Sequence, residues 1–67
     1  MSKQVISAEY TLHGTLISLG NFKTEEKAWK ALDVECLRIK RLSEDPRKDE
    51  IEFEDSCTVI IENMEEL

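Results

Sequence analysis

Few residues in this 67-residue chain are chemically equipped to react. One histidine, His13, and two cysteines, Cys36 and Cys57, are the only candidates for an imidazole base or a thiolate. A covalent nucleophile needs a base within hydrogen-bond reach. His13 stands beside Gly14 in a turn signal, whereas Cys36 and Cys57 fall on apolar stripes, so neither resembles an activated thiolate. The cysteines lack CxxC spacing and read as reduced, buried thiols rather than as a disulfide or metal framework. Gly14 and Gly20 are the only glycines, too few for a phosphate-cradling loop. The expectation is a non-enzymatic chain with no catalytic residue, no cofactor and no metal site.

Carboxylates are abundant. Glu50, Glu52 and Glu54 alternate, with Asp55 following. On a strand, alternate residues stand about 6.8 Å apart on one face, close to the spacing of phosphates along an extended nucleic-acid strand. Such a row mimics nucleic acid and suits a groove lined with lysine and arginine. Three similar solvated glutamates do not split their pKa values as acid-base catalysis requires. The charge around them is lopsided. Residues 1–43 hold seven basic and five acidic side chains, residues 44–67 two basic and ten acidic, and the total is −6. Glu50, Glu52, Glu54 and Asp55 are therefore the expected partner-binding residues, steered by charge and weakened by salt.

The elements that must position these residues follow from periodicity. Ile6, Ala8, Tyr10 and Leu12 alternate with Ser7, Glu9 and Thr11, the pattern of a half-buried strand. His13-Gly14 turns the chain, and Thr15 to Leu19 forms the second strand of a hairpin over residues 4–22, which Gly20-Asn21 ends or bulges. Thr24 is an N-cap, Glu25 and Glu26 occupy a first helical turn, and Arg38, Lys40 and Arg41 the last ones, predicting a helix over 24–42. Ala28, Trp29, Leu32, Cys36 and Ile39 form its core stripe, with Ala31 and Leu42 at the edge. Val34 and Leu37 lie opposite, as a patch for self-association.

Pro46 stops that helix within a turn-rich connector over residues 43–49. Residues 50–63 alternate again and predict a final strand, bulged or broken at Asp55-Ser56, with Met64 to Leu67 as a frayed tail. The fold class is a single α+β domain over residues 1–67: a β-β-α-β chain, the last strand split or whole, whose antiparallel sheet packs on one helix.

Length and composition agree with this. A chain of this size buries only about 60% of its unfolded surface, which favours a binding surface over an enclosed cavity. No apolar run reaches the roughly 18 residues of a membrane span. The start, Met1-Ser2-Lys3-Gln4, lacks the marks of a signal peptide or lipidation site, so a cytoplasmic protein is expected.

Leu19-Gly20, Phe22, Thr24, Glu26, Ala28, Ala31, Asp33, Leu37 and Arg38 resemble the strand-to-helix junction of plant ethylene-response DNA-binding domains, a design similar to phage integrase arm-binding domains. The resemblance spans residues 19–38 and implies a sheet packed on a helix, with DNA binding as one functional alternative. Residues 4–19 contain no arginine or tryptophan, and the net negative charge repels phosphate, so direct nucleic-acid contact is not expected. In size and acidity the chain is also similar to small phage-encoded inhibitors. The leading expectation is a protein-binding module, a viral or mobile-element inhibitor that blocks a basic surface of a nucleic-acid-handling protein. The other alternative is a structural or assembly module that forms a homodimer through Val34 and Leu37. No membrane partner is expected.

Overall fold

The computed structural model describes residues 2–65. Strand β1 (Ser2–Leu12) and strand β2 (Thr15–Phe22) form the hairpin. His13 and Gly14 both have positive φ, 52° and 78°, as both central residues of a type I′ turn must. Across the hairpin, Ala8 pairs with Gly20 and Glu9 with Ser18, so Leu19 is one extra residue on β2. Gly20 supplies the left-handed φ of 93° at this bulge. The extra residue switches the parity of β2. Ile17 and Phe22, odd and even in number, thereby both pack against the core.

Helix α1 (Glu25–Leu42) begins where expected, with the Thr24 Oγ1 accepting from the Lys27 N–H at 3.1 Å. Ala28, Leu32 and Ile39 are buried, and Cys36 is half-buried. Trp29 departs from the expected core stripe. It is 44% exposed, and its indole N–H reaches back to Glu25 at 3.4 Å.

The strand expected over residues 50–63 is instead a helix followed by a strand. Helix α2 (Pro46–Ser56) carries Glu50, Glu52, Glu54 and Asp55, so their expected row on a strand face does not exist. Two local signals start this helix. The Asp45 carboxylate accepts from the Lys48 N–H at 3.3 Å, and Pro46 occupies the first turn, where its missing N–H and fixed φ fit best. The alternation of Ile51 and Phe53 with glutamates has no structural counterpart. Phe53 is 3% exposed and Ile51 57%.

Strand β3 (Thr58–Glu65) follows directly, so the expected interruption near Asp55-Ser56 marks the junction of helix and strand. The frayed tail expected from Met64 is not seen at Met64 and Glu65, which pair with Lys3 and Ser2. Glu66 and Leu67 lie outside the described residues.

The sheet is antiparallel in the order β2-β1-β3, and the fold is a small α+β one. The element order is β-β-α-α-β, with one helix more than expected. Ile6, Ala8 and Tyr10 of central β1 meet Ala28, Leu32 and Ile39 of α1 and Phe53 of α2 in the core. The Tyr10 and Phe53 rings lie 4.8 Å apart at 53°, a tilted aromatic pair. Among the described residues, no helix is long and apolar enough to cross a membrane.

Candidate functional site

Strand β3 pairs with β1 only as far as Glu9. Beyond that point α2 takes over the edge of β1 with side chains. The Ser56 hydroxyl accepts from the Thr11 N–H at 2.9 Å and lies 2.9 Å from the Thr11 carbonyl. The Glu52 carboxylate accepts from the His13 N–H at 2.6 Å. Thr11 and His13 are alternate residues, and both would lack a partner on that side once β3 has ended. Helix α2 thus stands in for the missing part of a third strand, and this docking decides which of its carboxylates remain free.

At 100° per residue, Glu50 and Glu54 lie one turn apart on α2, while Glu52 is turned roughly 160° from both. The four expected binding residues are therefore not one row. Glu52 faces the hairpin and is engaged there. Glu50 pairs with Lys40 of α1 at 3.1 Å. That contact raises the pKa of the Lys40 ammonium above its ordinary value. Glu54 and Asp55 are exposed, and among the described residues neither pairs with a cation. The acidic surface that remains is centred on these two. It extends toward α1 through Asp33, whose charge, like that of Glu54, is felt at both Cys36 and Cys57.

Burial pushes both thiols up, and carboxylates add to it, chiefly Glu50 at Cys36 and Glu54 at Cys57. A raised thiol pKa is the opposite of what a nucleophilic cysteine needs. Val34 and Leu37, the pair of the self-association alternative, are 65% and 62% exposed on α1.

The charge distribution in the sequence gave no indication of Asp49. It is 7% exposed, the only buried charged residue among those described. Its Oδ2 accepts from the Ser43 hydroxyl at 2.5 Å, and its Oδ1 lies 2.9 Å from the His13 Nε2. Ser43, and then His13, hold this carboxyl below its ordinary range. His13, which the sequence places in a turn, is exposed but joined to the body of the protein at Asp49.

Serine, aspartate and histidine meet here in an order unlike a nucleophile relay. The carboxylate lies in the middle, and the Ser43 hydroxyl donates to it rather than to the imidazole. A second such network joins Tyr10, Glu35 and Arg38. The Glu35 carboxylate accepts from the Tyr10 hydroxyl at 2.8 Å and from Arg38 at 2.5 and 2.9 Å. Between the two networks lies an open cleft of about 540 Å³, lined by residues including Tyr10, His13, Arg38, Lys48 and Asp49.

The legible signal for Asp49 is helical spacing. Asp49, Phe53 and Ser56 lie at i, i+4 and i+7, all on the docked side of α2, once Asp45-Pro46 is read as a helix start. No protein-family model, curated protein or solved structure matches the chain.

Proposed function

We propose that this chain is a non-enzymatic binding module that docks on a basic surface of a protein partner through the outer, acidic side of α2. The observation that carries this reading is the state of Glu54 and Asp55. Both are exposed and form no salt bridge among the described residues, in the third of the chain where ten acidic side chains face two basic ones. Ionised groups fully satisfied within the fold add little to association. Unpaired ones on a rigid helix steer encounter with a positive surface and reject a negative one. A nucleic-acid-handling protein presents such a surface, and a small acidic domain seated on it blocks access to phosphate. This is the action of an inhibitor of viral or mobile-element type.

The test begins with the chain immobilised at low salt over lysate of its source cell, and each retained protein is then purified. Glu54→Lys with Asp55→Lys removes the face without breaking a side-chain hydrogen bond or salt bridge among the described residues. The expected result is loss of a retained basic protein with unchanged helical circular dichroism. Retention of every protein by the doubly reversed chain would reject the reading.

A second reading rests on Val34 and Leu37, two large apolar side chains exposed three residues apart on one face of α1. In it the chain self-associates through this pair. Sedimentation at rising concentration separates the two readings, because apolar association is insensitive to salt and the acidic contact is not.

A further inference from the structure

Three side chains that the acidic-face reading does not use converge at the tip of the hairpin. His13, Asp49 and Glu52 each offer a ligand atom, and all three atoms lie within 4.8 Å of one another. The His13 Nε2 is already 2.9 Å from the Asp49 Oδ1. In a tetrahedral zinc site with bonds of about 2.0–2.1 Å, neighbouring ligand atoms stand roughly 3.3 Å apart. A cation would fit after the imidazole and the Asp49 carboxylate part by a few tenths of an ångström and the Glu52 carboxylate turns its second oxygen inward, with Oε1 keeping the His13 N–H.

The surroundings are those of a constructed site rather than of a loose acidic patch. The Asp49 side chain is 9% exposed. Ser43 holds its Oδ2 and leaves Oδ1 toward the imidazole, as the outer hydrogen bonds of metal-binding carboxylates do. The Glu52 carboxylate is anchored by the His13 N–H, so the backbone of one ligand orients another. Asp49 and Glu52 share a helix at i and i+3, and the type I′ turn brings His13 to them. The His13 side chain is 69% exposed, which gives an ion a path in, and the adjoining cleft leaves space for water at an open coordination position.

We propose that His13, Asp49 and Glu52 bind a first-row divalent transition-metal ion, with zinc as the test case. One nitrogen and two carboxylate oxygens take three positions, and the fourth faces the cleft. Two carboxylate charges offset that of the ion. The imidazole selects against magnesium and calcium, which prefer all-oxygen sites. The bound ion replaces the hydrogen bond between His13 and Asp49 and fastens the hairpin turn to α2. It leaves Glu54 and Asp55 untouched, so the site stands independently of the partner reading.

The test is calorimetric titration of zinc chloride into the full, reduced chain in a non-coordinating buffer. The decisive variant is His13→Asn, because Asn-Gly is a favoured type I′ pair and keeps the turn while removing the ligand. The expected result is one ion per chain, with affinity at least about tenfold weaker in His13→Asn and in Glu52→Gln. Cys36→Ser with Cys57→Ser should bind as the parent does, and excess magnesium should not displace zinc. Equal affinity in His13→Asn, loss of binding in the double serine variant, or weak uptake of several ions without a defined stoichiometry would each overturn the proposal.

Discussion

The Glu35 carboxylate shows how a charged side chain on a thin core is made tolerable. Arg38 holds its pKa below the ordinary carboxylate value, and the Tyr10 hydroxyl helps, against the opposing effect of burial. The Tyr10 hydroxyl is pushed up, mainly by burial and then by Glu35. A carboxyl with a depressed folded-state pKa contributes stability that is present above its unfolded value, about 4.3 for glutamate, and lost as pH falls through the folded one. Denaturant unfolding followed from neutral pH into acid should show this loss, and Glu35→Gln should flatten the slope in that window. An unchanged slope would mean that Arg38 and Glu35 are not coupled. Ser56 carries a different load, because its hydroxyl alone serves the Thr11 N–H beyond the end of β3. Ser56→Ala leaves that donor without its partner and should destabilise the fold by about 1–3 kcal/mol, read as a shift in the urea midpoint.

At the scale of elements, α2 separates what the sequence makes legible from what it hides. The hairpin and α1 announce themselves twice, by apolar period and by turn or cap chemistry. His13-Gly14 and Thr24 stand at boundaries that the structure keeps. In α2 the two kinds of signal conflict. Glu50-Ile51-Glu52-Phe53-Glu54 alternates by residue type, yet only Phe53 of its two apolar side chains enters the core. With one aromatic residue, the short helix buries too little for its period of 3.6 to stand out. Its cap, Asp45-Pro46, is the clearer sign. The same ambiguity hid Asp49 and set the glutamates in a row they do not form. Two substitutions separate helix from strand. Phe53→Ala should cost about 3–5 kcal/mol, and Ile51→Ala should stay within about 0.5 kcal/mol of the parent. Comparable losses at both positions, measured by chemical denaturation, would favour the alternating strand. Asp45→Ala should cost about 1 kcal/mol through the lost cap, with the loss appearing in the same unfolding transition.

The whole molecule is extended for its length. Its radius of gyration is 13.7 Å, against about 11 Å for a compact chain of this size. Its long dimension of 49 Å is more than twice the others. A shape of this kind offers surface rather than enclosure, in keeping with a module that works by contact. Charge of both signs is spread over that surface. Lys27, Lys30 and Arg41 are exposed on α1 beside Glu25, Glu26 and Asp33. Glu54 and Asp55 lie on the outer side of α2, whose first turn exposes Arg47 and Lys48. The most direct measurement is the dissociation constant for the purified basic partner, taken at several salt concentrations with the parent chain and with Glu54→Lys/Asp55→Lys. The parent should weaken steadily as salt rises, and the doubly reversed chain should bind at least about tenfold more weakly at low salt, where unscreened like charges repel. Equal constants for the two proteins, with no dependence on salt, would contradict the account.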